Sequence, residues 1–376
     1  MDNFSIPSNI IFGENSITEL KGLLEQFKVK NILIVCDGGV RKVGIVDKVF
    51  DEIKGLDYKI SIFDKVMPNP TDILISECVK EYRDKNIECI IAVGGGSAID
   101  SAKAINVVLS NGGEIMDYEV PNSVKNRTFP LIAIPTTSGT ASEVTGFTII
   151  TDTTRKKKVV IGGKNISADL AILDYSLTYE LPASITASTG MDALTHAIEA
   201  YVSTLATPFT DVNALGAMVL ILNNIEAAVK NGEDKEARKE MMIGSTMAGI
   251  AFNSAVLGLV HAIAHPLGAH FNIAHGIANA IMLPYVIEYN GDHCEEKIRN
   301  IGEILGLTRE MSTPEKVSEK ILEINNKIEI PRLSEIGIKK SDFDFIAEAV
   351  LQEPSLAMNP KAVIHQAVVG LLDKAY

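Results

Sequence analysis

The feature that most constrains this chain is a change of pattern near Leu181. Before it, short runs of β-branched residues alternate with helical patterns. After it, long alanine-rich segments take over. The runs Asn31–Cys36, Tyr58–Phe63, Cys89–Gly94 and Pro130–Pro135 read as strands, with helical stretches such as Thr71–Asn86 between them. Alternation of this kind builds βαβ units and a mainly parallel sheet. "GFTIITD" and "KKVVI", joined by the polar turn Thr153–Lys156, read as a hairpin. Downstream, "GMDALTHAIEAYVS", "TDVNALGAMVLILNNIEAAVK" and "DKEARKEMMIGSTMAGIAF" read as helices, and Thr313 before Pro314 marks another helix start. The expected fold is a doubly wound α/β domain over 1–180, followed by an all-α helical domain over 181–376. A chain of 376 residues has room for both.

Bulk properties narrow the function. A formal charge of −13 argues against nucleic acid and anionic membrane as partners, since both attract basic surfaces. The opening "MDNFSIPSNIIFG" has neither a basic region nor a sustained apolar run, so no secretory signal is expected. The longest apolar passage, Met247–Ala264, carries Asn253, Ser254 and His261, which reads as a buried core helix rather than a membrane span. Cys36, Cys78, Cys89 and Cys294 lack zinc-site spacing and read as reduced, buried thiols in a cytoplasmic protein.

Two loops suit a nucleotide. "AVGGGSAIDSAKAI" sets Gly94, Gly95, Gly96 and Ser97 between a strand and a helix. There the bare backbone can approach a pyrophosphate, and the helix N-terminus offers N–H donors. The GxGxxG pattern is absent, because Ile99 stands at its third glycine position. "PTTSGTASEVT" follows another strand and presents Thr136, Thr137, Ser138 and Thr140. Asp37 ends the first of the strands read above; a carboxylate there can bond a ribose 2′-hydroxyl and would repel a 2′-phosphate. That favours NAD over NADP, with Arg41 as a complication.

Four of seven histidines crowd into "GLVHAIAHPLGAHFNIAHGIANA". Residues four apart share a helix face, so His261 and His265 pair, as do Asp192 and His196. Pro266 is expected to disturb or end the helix by removing an N–H and crowding the Ala262 carbonyl. His275 can then return toward the same place. One carboxylate and several imidazoles on helices suit a divalent transition ion, and unpaired polar groups are costly to bury in segments this apolar. His293 and His365 read as ordinary surface or core residues, and His270 is left outside the site.

The segments "GGGSAIDSAK", "PTTSGTASEVT", "GMDALTHAIEAY" and "GLVHAIAHPLGAHFNIAHGIANAIMLP", with "FGENS" and "VMPNPT", resemble the signature segments of the iron-containing (group III) alcohol dehydrogenases along essentially the whole chain. The resemblance implies a Rossmann-like domain plus a helical metal-binding domain. It implies Asp192, His196, His261 and His275 as metal ligands and His265 as an active-site histidine. Asp37, Gly95, Gly96, Ser97, Thr136, Thr137, Thr140 and Lys158 become the cofactor residues. The implied activity is hydride exchange between NAD(H) and a small alcohol or aldehyde, with Fe2+ as the expected ion and Zn2+ as its competitor for the same donors. A homodimer or larger even assembly is also expected.

Rivals share this architecture. Glycerol dehydrogenases and dehydroquinate-synthase-like lyases pair the same two domains. The lyases handle anionic sugars, yet no Lys or Arg occurs between Lys164 and Lys230 or between Lys239 and Lys297, the windows holding every proposed ligand. Small neutral substrates fit better, with Phe147, Phe252 and Leu257 as candidate pocket walls. An Asp/His metallohydrolase would have no use for the two nucleotide loops.

Overall fold

A computed structural model describes residues 4–120 and 124–376. Met1–Asn3 of the opening segment lie outside the described residues. The described residues divide into two compact units, one of Ile6–Thr137 with Ala141–Tyr179, the other of Ser138–Thr140 and Glu180–Tyr376 with Phe4 and Ser5.

The first unit holds strands β1 (Asn9–Phe12), β2 (Asn31–Asp37), β3 (Lys59–Val66), β4 (Cys89–Gly94), β5 (Leu131–Pro135), β6 (Phe147–Asp152), β7 (Lys157–Gly162) and β8 (Leu170–Leu173). Its helices are α1 (Leu20–Phe27), α2 (Gly38–Lys42), α3 (Ile45–Ile53), α4 (Asp72–Tyr82) and α5 (Gly96–Asn111). Six strands form a parallel sheet in the order β1-β8-β5-β4-β2-β3, while β6 and β7 pair antiparallel as a separate hairpin. Side chains alternate between two apolar faces. Leu33, Val35, Ile90 and Ala92 pack with α4 and α5 residues, whereas Ile32, Ile34, Ile91 and Val93 pack with α1 and α3 residues. Both faces of a parallel sheet are covered, so its central strands read as unbroken apolar runs.

From β2 the chain steps outward to β3, then crosses to β4 on the other side of β2. Strand order therefore reverses between β2 and β4, the kind of position where open α/β sheets bind ligands beyond the strands' carboxyl ends. Asp37 and Gly94 are the last residues of those two strands. Two strands, β1 and β8, escape the sequence reading. Each has four residues, and β1 is mostly exposed, so neither shows a usable period.

Beneath the loops lies a fully buried cation. Lys103 on α5 donates from Nζ to the carbonyls of Ser142 (2.6 Å), Thr145 (2.9 Å) and Phe147 (2.8 Å), and meets the hydroxyls of Ser142 and Thr145 at 3.1 Å. Asp100, one turn earlier, accepts from the Ser142 hydroxyl and from Ile149 N–H (3.0 Å). This network ties α5 to the stretch that continues the hydroxyl-rich loop.

The second unit is helical: α6 (Ala183–Val202), α7 (Pro208–Lys230), α8 (Lys235–Ala255), α9 (Leu259–Phe271), α10 (His275–Asn290), α11 (Glu295–Ile304), α12 (Pro314–Lys327), α13 (Phe343–Val350) and α14 (His365–Ala375). Thr313 caps α12 by accepting from Lys316 N–H. Two expectations are corrected here. Met247–Ala264 is not one helix, because α8 and α9 meet at a bend of 102°. The bend is made at Val256, with φ 61° and ψ −172°, a region essentially reserved for glycine. Pro266 does not end α9, which runs on for five further residues to Phe271. Pro266 and its neighbours Ala262–Ala264 and Leu267 are buried, and packing of that kind, rather than local propensity, supplies most of a helix's stability. Among the described residues α7 is long and apolar enough to cross a membrane, with mean hydropathy 1.5, yet it packs against α6 and α8.

Candidate active site

Three helices supply the histidine cluster. On α6, Asp192 and His196 are four apart and Glu199 follows three later, so all share one face. α9 carries His261 and His265 on a common face, and His275 opens α10 with Asn279 one turn on. α10 can start this close to α6 because residue 276 is glycine. A Cβ there would lie 2.2 Å from the Ser188 carbonyl oxygen of α6.

The Nε2 atoms of His196, His261 and His275 lie 3.9, 3.9 and 3.7 Å from Asp192 Oδ1. One donor atom from each of the four residues falls within 4.8 Å of all the others. Asp192, His196 and His261 are buried, while the His275 side chain is 24 % exposed and gives the cluster an open side. Buried polar groups need partners, and this convergence offers one carboxylate oxygen and three imidazole nitrogens to a cation. The donor set fits a divalent transition ion, and its mixture of nitrogen and oxygen suits iron or zinc.

The surroundings explain how the donors are held. Glu199 Oε2 lies 2.5 Å from His261 Nδ1, and its Oε1 accepts from Val260 N–H at 2.6 Å. Burial pushes the Glu199 carboxyl up to about 7, against the pull of N–H donors at Gly258 and Val260. The Asn279 amide donates to Asp192 Oδ1 (2.7 Å) and lies 3.1 and 3.3 Å from Nε2 of His261 and His275. Phe252 stacks on the His196 ring, with centroids 4.3 Å apart. His265 stacks on His275 at 5.7 Å, and its Nδ1 bonds Glu353 Oε2 at 2.7 Å. His270 packs edge-on against Phe345, while His293 and His365 meet Asp292 and Asp344.

Of the candidate walls, Phe252 is in the cluster, Leu257 lies on the bend before α9, and Phe147 belongs to β6 of the sheet unit. Glu199, Asn279 and Glu353 were missed by the sequence reading. Glu199 and Asn279 had a signal, since each extends a helix face already marked by a candidate ligand. Glu353, 88 residues from His265, had none.

In the sheet unit, Asp37 Oδ1 accepts from Gly39 and Val40 N–H, both at 2.9 Å, and so caps α2. Gly94 has φ +148°, and a Cβ there would sit 2.7 Å from Ala98 Cβ and 3.2 Å from Asp37 Oδ2. Thr136 N–H bonds the Gly94 carbonyl at 3.1 Å, and Thr137 Oγ1 lies 3.2 Å from where a Gly95 Cβ would be. These contacts link Asp37, the glycine turn and the first two threonines around the carboxyl ends of β2, β4 and β5. α5 begins at Gly96 and Ser97 with no side-chain cap, so its first N–H groups suit a pyrophosphate. Bare backbone, a helix N-terminus and an acid at the strand-order reversal fit a dinucleotide. Lys158 lies on β7 opposite Thr151 and interacts electrostatically with Asp100, whereas Thr140 groups with the helical unit.

Comparison with known proteins agrees with both halves. Residues 7–175 match the family described as iron-containing alcohol dehydrogenase, and 186–376 match the C-terminal part of the same family. The chain is 40% identical over 375 residues to alcohol dehydrogenase 4 of Saccharomyces cerevisiae, covering 99% of this chain and 98% of that protein. It is 38% identical over 380 residues to the NAD-dependent methanol dehydrogenase of Bacillus methanolicus, covering all of both. The crystal structure of a 1,3-propanediol oxidoreductase superposes with a TM-score of 0.96 at 36% identity, again over the full length of both chains. A strand-order reversal walled by glycine, one aspartate among three histidines, and matches spanning nearly every residue lead to one assignment: this chain belongs to the iron-containing alcohol dehydrogenase family.

Proposed function

We propose that the chain is a metal-dependent, NAD(H)-linked alcohol dehydrogenase or aldehyde reductase acting on small neutral alcohols, diols or aldehydes. The observation that carries this reading is the convergence of Asp192, His196, His261 and His275 beside His265. When bound, a divalent ion, iron by family membership, supplies Lewis acidity toward the substrate oxygen, and the nicotinamide supplies or accepts the hydride. The four donors bind and orient the ion. His265 moves the proton between the reacting oxygen or the cofactor ribose and solvent. Glu353 sets its orientation: a carboxylate accepting from Nδ1–H leaves Nε2 as the proton-accepting nitrogen. Phe252 walls the cluster with apolar surface.

Asp37, Gly95, Gly96, Ser97, Thr136, Thr137, Thr140 and Lys158 form the proposed dinucleotide set. The Asp37 carboxylate favours NAD over NADP by repelling a 2′-phosphate. An even homo-oligomer and cytoplasmic residence complete the reading; four free cysteines support the latter. The test is absorbance at 340 nm with anaerobically prepared, iron-loaded protein, NADH or NADPH, and a panel of short aldehydes and diols. NADH oxidation with a neutral aldehyde is the expected result. No turnover with any member of the panel would overturn the proposal.

A further inference from the structure

α9 carries two of the histidines assigned to the chemistry, and it starts without a cap of its own. Its N-cap residue, Gly258, has no side chain, and no side-chain cap is made from that position. The first N–H groups of a buried helix need acceptors from elsewhere. They find them on two other segments. Glu199, on α6, takes the N–H of Val260 at 2.6 Å, and Asn359 Oδ1 takes Leu259 N–H at 3.2 Å. Asn359 is itself fixed by a reciprocal amide pair with Asn290 at 2.8 and 2.9 Å.

The second oxygen of Glu199 reaches a side chain rather than the backbone. Oε2 meets His261 Nδ1 at 2.5 Å, and with that carboxylate oxygen as the acceptor the proton sits on Nδ1. That leaves the lone pair on Nε2, the nitrogen directed at the cluster, 3.9 Å from Asp192 Oδ1. One carboxylate therefore caps the helix and selects the tautomer of a donor on it. Glu199 lies on the same face of α6 as Asp192 and His196, so its grip also fixes the spacing between the donors of the two helices.

We infer that Glu199 is a positioning residue for the proposed metal centre. It holds His261 as the Nδ1–H tautomer and sets the start of α9, without touching the ion. This inference rests on the metal-centre reading above.

Glu199→Gln keeps the size and shape but turns one oxygen into a donor. Either Val260 N–H or His261 Nδ1–H then faces an N–H group, so the cap or the tautomer is lost. Outer-sphere partners of metal-bound histidines typically contribute about 10- to 100-fold in metal affinity. Chelator competition on the full-length protein with Co2+ is expected to show a loss of about that size for Glu199→Gln. The Co2+ visible absorption should change with it, while NADH fluorescence titration stays within about twofold, since this carboxylate takes no part in the nucleotide loops. Equal Co2+ affinity and spectra in the wild type and Glu199→Gln would overturn the inference while leaving the metal centre standing. If the wild type binds no Co2+, or His275→Ala binds it as well as the wild type, the metal-centre reading fails and this inference with it. Should Glu199→Gln not fold, 15N spectra of the imidazoles in Zn2+-loaded wild-type protein decide the matter. A proton on His261 Nδ1 is expected, and a proton on Nε2 would overturn the inference.

Discussion

Both units bury groups that carry charge, and they do so in opposite ways. In the sheet unit Lys103 is fully enclosed, and five oxygen atoms of residues 142–147 surround its ammonium. In the helical unit, Asp192 and three imidazoles aim their nitrogens and one oxygen at a common point. The first arrangement is complete within the chain and serves the fold. The second gathers one oxygen and three nitrogens from four side chains, faced by the Asn279 amide, in the donor set of a divalent ion. Burial of charge alone does not mark a functional centre; the informative feature is whether the buried groups together make the donor set of an ion.

The strongest way to break this contrast is to remove a donor from the second set. Asp192→Ala or His261→Ala is expected to abolish metal binding and lower kcat/KM by about a thousandfold or more, the scale of several kcal/mol of Lewis-acid stabilisation. NADH binding, read by fluorescence, should persist. Full turnover by either variant would refute the assigned role of that cluster. Next in size is Lys103→Met. It leaves five oxygen acceptors without their buried ammonium and removes its attraction for Asp100, on the scale of the about 3–5 kcal/mol lost when one partner of a buried charged contact is removed. Denaturant unfolding should report that loss, with the metal stoichiometry of the folded protein unaltered. Smaller again is Gly95→Val, whose side chain would crowd Thr137. NADH affinity should fall by about tenfold or more, equivalent to some 1.4 kcal/mol, while metal content is retained.

The mildest expected effect sharpens the contrast by thiol labelling. Burial pushes Cys36 up to about 12 and Cys294 up to about 11, so at pH 8 these thiols stay protonated and react slowly. Cys78 and Cys89 are likewise raised by burial. Three of the four belong to the sheet unit. Cys294 instead bonds the carbonyl of Asn290, whose side chain pairs with Asn359 at the start of α9. Chelation should therefore speed labelling of Cys294 several-fold and leave the other three protected. Uniform acceleration at all four positions would contradict a coupling carried by the Asn290–Asn359 contact.

The same contrast explains how much of the molecule is legible in its sequence. The sheet and its glycine turn announce themselves in local order, because strand period and bare backbone are properties of neighbouring residues. The histidine cluster was legible because i,i+4 spacing marks a helix face. Glu199 continues the Asp192–His196 face by three residues and could have been found the same way. Glu353 and Asn359 could not, since their partners lie 88 and 100 residues away. α9 runs on past Pro266 because the turns around it are buried, whereas nothing in the local sequence announces the bend at Val256. Strands as short as β1 and β8 have too few residues for any pattern to stand out.

That bend has a practical corollary. Val256 is 37% exposed and so packs less fully than a core valine, while its backbone occupies a region that costs about 1–3 kcal/mol for such a residue. Val256→Gly is thus expected to raise Tm, with the gain trimmed by the looser unfolded chain, and to leave catalysis untouched. Thermal tolerance is expected to improve at a bend between two helices rather than in the core.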